Sequence, residues 1–174
     1  MGGFFKWLRC LIRKAKHLFK CLFGPKPPKG DPPTAEQKTR IEPHFPNLKT
    51  WNVTGPATDK YNCIAWSVGI KNEWIWPGHT VQDFDSFYSL HGWTVSSNCN
   101  REYKKRKVAL YAYNSNPNSC SHGSRETHDC GWDESKLGKW ERIMHIRTEL
   151  EGGFYGYIIR CYEKRDNNAN LDLC

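Results

Sequence analysis

The chain has 174 residues, a formal net charge of +8 and 14% aromatic side chains. This length makes a single domain the default, and the aromatic content is ample for a packed core, which excludes a disordered tail. The charge is uneven: residues 1–23 hold six basic and no acidic side chains, whereas residues 61–174 hold 14 of each. Because the part that folds is neutral, we expect no nucleic-acid partner.

The first 23 residues have the pattern of an amphipathic helix. Apolar side chains fall in one arc of a helical wheel, and Lys and Arg side chains fill the other side. A helix of this kind lies in the surface of an anionic membrane, and its recurring charges exclude a membrane span. The alternatives are a helix docked on the protein's own core and a target helix of the calmodulin type. The residues predicted to meet the membrane are Phe4, Phe5, Lys6, Trp7, Leu8, Arg9, Leu11, Arg13, Lys16 and Lys20.

Residues 24–46 are rich in proline and predict an extended linker, although such a segment can equally pack along the domain. Residues 47–165 are predicted to form the folded domain, and residues 166–174 a flexible C-terminal tail. No uninterrupted apolar stretch or cleavage site follows the N-terminal charges. We therefore expect a cytoplasmic protein, held peripherally at a membrane, whose eight cysteines are reduced. Cys10 and Cys21 lie near the expected headgroups and are either palmitoylated or unmodified.

The segment Tyr61-Asn62-Cys63 places a cysteine at the first turn of a short apolar helix. Asn62 is a good N-cap residue, because its side-chain oxygen accepts a hydrogen bond from an unpaired amide of that turn. The positive end of the helix dipole favours a thiolate over a thiol. The pattern therefore predicts a nucleophile at Cys63, the alternative being a small, buried, inert side chain.

The later elements predict an α+β fold. Thr80 opens a second helical pattern that Gly92 closes. Strand patterns follow at residues 107–113, 122–127, 132–137 and 154–162. Because a helix precedes a run of strands, we expect the helix that carries Cys63 to pack on a small antiparallel sheet.

A nucleophilic cysteine needs a base, and His122 is the best-placed histidine. It enters a strand directly after a loop, and a neutral imidazole titrates in the required range. A polar group on the next strand would orient the ring. Asp133, Glu134 and Ser135 are the candidates, and the strand register decides between them.

A metal site is the rival interpretation of the same region. Cys120 and His122 mirror His128 and Cys130 in the sequence, and a hairpin between them would place all four side chains on one face. Two thiolates and two imidazoles are a ligand set for tetrahedral zinc. Zinc therefore remains the alternative to an expectation of no cofactor.

Several ordered segments carry a resemblance to a known family. They are residues 61–67, 74–77, 108–112, 132–138 and 150–156, together with His122. Over about residues 59–165 the chain resembles an uncharacterised domain family of unknown function. The layout of that family in turn resembles the circularly permuted papain-like fold of NlpC-type cysteine peptidases and their lipid-acyltransferase relatives.

This resemblance implies roles for individual residues. Cys63 matches the nucleophile, His122 the general base and Ser135 the third residue, with Glu134 as the neighbouring alternative. The expected activity is that of a thiol hydrolase or acyltransferase, acting on an amide or ester bond of a peptide or lipid-like substrate at a membrane surface. Amides of the helix start, including that of Cys63, would hold the oxyanion. The alternative function is a catalytically inactive, membrane-tethered binding or effector module.

Overall fold

The computed structural model of the chain describes residues 7–8, 11–12, 29–102, 104–127 and 132–166. Three of the predicted membrane-binding residues, Trp7, Leu8 and Leu11, belong to the described part, and all three are helical and exposed. The other seven and residues 167–174 of the predicted tail lie outside it. No helix among the described residues is long and apolar enough to cross a membrane.

The described residues form one α+β unit, as the sequence predicts. Seven antiparallel strands make a single sheet in the order β1-β6-β5-β4-β3-β7-β2. The helices are α1 (Ala35–Ile41), α2 (Cys63–Ser67) and α3 (Val81–Leu90). The strands are β1 (Trp51–Gly55), β2 (Thr94–Ser96), β3 (Lys105–Ala112), β4 (Cys120–Glu126), β5 (Trp132–Lys136), β6 (Arg142–Ile146) and β7 (Tyr157–Arg165).

The sheet is larger than predicted because β1, β2 and β6 have no clear signal in the sequence. By contrast, the predicted second helix is confirmed as α3. The Thr80 hydroxyl accepts a hydrogen bond from the Asp83 amide, and the Asp83 carboxylate accepts one from the Thr80 amide, which satisfies two amides of the first turn. Gly92 follows the helix with a φ of +75°, a conformation that favours glycine.

The segment predicted as an extended linker contains α1, so the extended prediction is wrong for those residues. Thr34 and Gln37 form a capping box at the start of this helix. Ile41 at its end and the following Phe45 are buried in the core, next to Trp51. Burial of these side chains stabilises α1 against the sheet, which corresponds to the alternative that the segment packs along the domain.

Alternate residues of β3 contact two different core clusters. Ala109 and Tyr111 belong to a cluster that includes Tyr155, whereas Val108 and Leu110 pack with α2 and α3. The approach of the helices depends on Gly123 in β4. A Cβ atom there would lie 2.9 Å from the Tyr88 hydroxyl and 3.0 Å from the Ile64 Cδ1 atom. Glycine thus lets α2 and α3 lie directly against β4.

Strands β4 and β5 separate along their length, and this opens the place where the candidate site lies. They are paired at Arg125 with Glu134 and at Glu126 with Asp133. Towards the start of β4 no further backbone pairing to β5 is present among the described residues. Helix α2 packs against both strands there.

Cys99 and Cys161 form a disulfide bond, so the prediction that all eight cysteines are reduced is wrong. Cys99, in the loop after β2, is bonded to Cys161 of β7, and their Cα atoms are 5.3 Å apart. Neighbouring backbone positions bring the pair together, which spacing in the sequence does not show. A disulfide persists in an oxidising environment. Cys63 and Cys120 are free and buried.

Candidate functional site

Cys63 is the first residue of α2, and Asn62 is its N-cap. The Asn62 Oδ1 atom accepts a hydrogen bond from the Ala65 amide at 3.0 Å. Its Nδ2 atom donates to the Ile75 carbonyl at 2.6 Å. Since Asn62 is buried and bonded at both ends, it holds the helix start and the segment around Ile75 together.

The Cys63 thiol lies in an environment that keeps it protonated at neutral pH. Burial raises its pKa to about 11, although the amides of Gly123, Ile64 and Cys63 and the charge of Lys136 act in the opposite direction. Burial therefore outweighs the helix dipole that the sequence suggested would favour a thiolate. Attack by this sulfur requires a base that removes the proton during the reaction.

A chain of hydrogen bonds links His122 to two further strands. The His122 Nε2 atom on β4 is 2.9 Å from the Ser135 Oγ atom on β5. That oxygen is 2.8 Å from the His145 Nε2 atom on β6. The Nδ1 atom of His145 is 2.8 Å from the Ile146 carbonyl oxygen. The four groups form one buried relay across three neighbouring strands.

This relay assigns the protons of both rings. A carbonyl oxygen only accepts, so the His145 Nδ1 atom donates, and in a neutral ring its Nε2 atom accepts. The Ser135 hydroxyl must donate to that atom, and its oxygen then accepts from the Nε2–H of His122. The His122 Nδ1 atom is left without a proton, and it is buried with no hydrogen-bond partner.

Burial also keeps both imidazoles neutral. It lowers the pKa of His122 well below 6.5, and the nearby His145 lowers it further. Burial lowers the pKa of His145 as well, against the influence of Asp133 and the bond to Ile146. The resting state is therefore a neutral thiol and a neutral imidazole rather than an ion pair.

Cys63 and His122 both lie near Gly123 and Tyr155. The thiol lies by the amide of Gly123, the residue after His122, and a thiolate at Cys63 would raise the pKa of Tyr155. The Tyr155 ring stacks on the His122 ring with centroids 3.8 Å apart and planes inclined by 7°. The Ser121 hydroxyl donates to the Tyr155 carbonyl at 2.6 Å, which anchors the stacked ring.

The register brings Ser135, rather than Asp133 or Glu134, to His122. Asp133 accepts hydrogen bonds from Arg147 and Ser124. Glu134 points to the other face, opposite Arg125, with its Oε1 atom 3.7 Å from the Arg142 Nε atom. The period of two along a strand explains why Ser135 and Glu134 cannot share a face.

Two of the four predicted zinc ligands, Cys120 and His122, have different surroundings in the structure. Cys120 packs in the cluster of Cys63 and Phe84, whereas His122 contacts Tyr111 and Tyr155 and uses its Nε2 atom for Ser135. His128 and Cys130 lie outside the described residues, within which no three His, Cys, Asp or Glu side chains are grouped to hold a metal. The zinc site stays an untested prediction.

Two residues of the site have no specific sequence signal. His145 supports Ser135, and its only clue is a position two residues from the buried Ile143 on the same strand. Lys136 is fully buried and donates to the carbonyls of Thr58, Gly138 and Trp140. Burial lowers its pKa to about 8. The positive charge of Lys136 lowers the pKa of Cys63 and so favours its thiolate.

The Cys63 thiol lies by the Gly123 amide and His122 is the preceding residue of β4, but within the described part of the chain no hydrogen bond joins the thiol to the His122 ring. The Cys63 and Ile64 amides belong to the first turn of α2, where N–H groups have no partner within the helix. A thiol beside such donors and a neutral imidazole is suited to attack on a carbonyl carbon. The site thus combines a thiol, a neutral imidazole and helix-start amides on an α+β domain.

The chain belongs to the family described as domain of unknown function (DUF7689), whose model matches residues 52–163. This range contains Cys63, His122, Ser135 and His145. Comparison with curated proteins and with solved structures gives no match.

Proposed function

We propose that the protein is a thiol hydrolase or acyltransferase that acts on an amide or ester bond through Cys63 and His122. The observation that carries the proposal is the unprotonated, unpartnered Nδ1 atom of His122. A buried nitrogen without a partner costs about 1–3 kcal/mol of folding free energy. Such atoms are rare in folded proteins, and a catalytic role is one reason for which they are retained. The relay through Ser135 and His145 supports the role, because it orients the ring and keeps the proton on the opposite nitrogen.

In the proposed reaction, the Cys63 sulfur attacks the carbonyl carbon as its proton moves to the His122 Nδ1 atom. The carbonyl electron pair moves onto oxygen, where the Cys63 and Ile64 amides stabilise it. Collapse of this intermediate breaks the bond to the leaving group, which takes the proton from His122. Water or an acceptor hydroxyl or amine then attacks the thioester, with His122 again as the base, and the thiol is restored.

An apolar acyl group or side chain is the substrate feature that the surroundings favour. Trp74 and Trp76 are exposed on either side of Ile75, whose carbonyl is bonded to the Asn62 cap. Exposed indoles beside a site recognise apolar and amphipathic groups. A peptide or lipid-like substrate at a membrane surface fits this feature and the basic N-terminal pattern. A permuted papain-like fold belongs to the same proposal.

Acetylation by p-nitrophenyl acetate tests the proposal on the full chain, and Cys120 provides a matched internal control. Both thiols are free and buried, and burial raises the pKa of each to about 11. Neither should react as a thiolate at pH 7. We expect peptide mass spectrometry to show acetyl groups on Cys63 well before Cys120. Equal rates at the two thiols, or no acetylation of Cys63, would refute the proposal.

A binding or effector module without catalytic activity is the second candidate. The observation in its favour is burial, since the Cys63 and His122 side chains are only 4% and 0% exposed. A substrate would therefore reach the pair only after a local opening. An unreactive Cys63 in a protein whose stability is unchanged by Cys63→Ala would favour this candidate.

A further inference from the structure

The indole of Trp66 in α2 is surrounded by cations. The Arg142 Cζ atom lies 4.1 Å from the ring centroid, the Arg125 Cζ atom 4.5 Å, and the Lys71 Nζ atom 5.1 Å. We call Trp66 with these three residues the Trp66 cation cluster. A single cation over an indole is common packing, but three on one ring repel one another.

The guanidinium of Arg125 forms no hydrogen bond or salt bridge within the described part of the chain. Its contact is the face of Trp66, although a guanidinium carries five N–H donors. Burial lowers the pKa of Arg125, and repulsion from Arg106 and Arg142 lowers it further. A half-buried guanidinium with unused donors is a group that an anion would satisfy.

The charges that face this group leave a positive excess. Glu134 lies opposite Arg125 on β5 and is 3.7 Å from Arg142, and Arg106 is paired with Asp166. Around the cluster and the adjoining cavity, five cations (Lys29, Lys71, Arg106, Arg125 and Arg142) face three carboxylates (Glu126, Glu134 and Asp166), which leaves an excess of two positive charges. A phosphate monoester carries about −1.5 to −2 charges at neutral pH, which matches the remaining excess.

The dimensions also suit a phosphate. Beside Arg125 is a cavity of about 120 Å³, whose charged lining consists of Lys29, Arg106, Arg125, Glu126 and Glu134. This is roughly the space of four waters, enough for one phosphate group.

We propose that the Trp66 cation cluster is a binding site for a phosphate group, separate from the Cys63 chemistry. Arg125 supplies the main bidentate contact, and Arg142 and Lys71 complete the charge complement. The same chemistry is offered by a soluble phosphate monoester and by the headgroup of an anionic lipid. Lys29, which lines the cavity, follows the basic N-terminal segment in the chain.

Titration of the full-length protein with inorganic phosphate at constant ionic strength tests the site. The indole N–H of Trp66 is buried without a partner and serves as the NMR reporter. We expect a saturable shift of this signal, and an affinity lowered roughly tenfold or more by Arg125→Gln, since a charge-assisted hydrogen bond is lost. Arg125→Lys, which keeps the charge but loses the planar fork, should also weaken binding.

Arg160→Gln is the matched control, because it removes one positive charge from an arginine paired with Asp85. It should leave the affinity unchanged. A second arm replaces phosphate by vesicles of phosphatidylcholine with or without phosphatidic acid. A shift of Trp66 with phosphatidic acid supports a lipid source, and a shift with inorganic phosphate alone supports a soluble one. No saturable shift with either, or an equal loss in Arg125→Gln and Arg160→Gln, overturns the proposal.

Discussion

Replacing His122 by Gln should slow the acetylation of Cys63 roughly 100-fold or more at pH 7, the usual contribution of a general base. Gln fills similar space but has no group that takes up a proton. His91→Gln is the matched control, since His91 lies at the end of α3 with its ring against Phe87. Rates are measured by release of p-nitrophenol and by peptide mass spectrometry.

The pH dependence of the same rates carries further information. Because burial lowers the pKa of His122 well below 6.5, the base stays unprotonated as the pH falls through 6.5. The rate of the parent should decline only at lower pH. In His122→Gln the residual rate should follow the thiolate and rise until pH about 11, the pKa of Cys63. A rate indifferent to His122, or a parent profile that rises in the same way, would contradict the role of the base.

The largest effect on stability is expected from Asp133→Asn. The Asp133 carboxylate is fully buried, and the Arg147 Nε and Nη2 atoms donate to it at 2.9 and 2.8 Å. The Ser124 hydroxyl donates to it at 2.6 Å. Removing the negative charge leaves the Arg147 guanidinium buried without its partner, which costs about 3–5 kcal/mol.

Urea unfolding with the disulfide intact measures this loss. Asp85→Asn is the control, because the Asp85 carboxylate also accepts from an arginine and a hydroxyl but its side chain is 30% exposed. We expect a loss of about 1 kcal/mol or less there, as for exposed pairs. Similar losses in the two variants would show that burial does not strengthen the ion pair of Asp133 with Arg147.

The parts of the fold that sequence predicts are those with local causes. The start of α2 follows from Asn62 as a cap and from the apolar residues after Cys63, and α3 follows from its own capping box. The contact of Ser135 with His122 was one of three open possibilities, because the register depends on how β4 pairs with β5. Strand β1 depends on a partner distant in the chain, β6, so it could not be predicted. Strand β6 follows β5 directly, but its own residues carry no clear strand pattern.

The electrostatics of the site could not be predicted from the sequence either, because they depend on residues from several elements. A capped helix start suggests a thiolate at Cys63, but burial by the surrounding elements reverses that preference. His145 and Lys136 become part of the site only through side chains of other strands and loops. The bond between Cys99 and Cys161 likewise requires the position of β2 beside β7.

The most direct test of the account is the protonation of the His122 ring nitrogens in the full chain, read from ¹⁵N NMR at pH 7. The relay predicts an unprotonated Nδ1 atom, a proton on Nε2, and an Nδ1 signal that moves when Cys63 is replaced by Ala. A proton on Nδ1, or an Nδ1 signal that is unaffected by Cys63→Ala, would contradict the proposal that His122 is the base for Cys63.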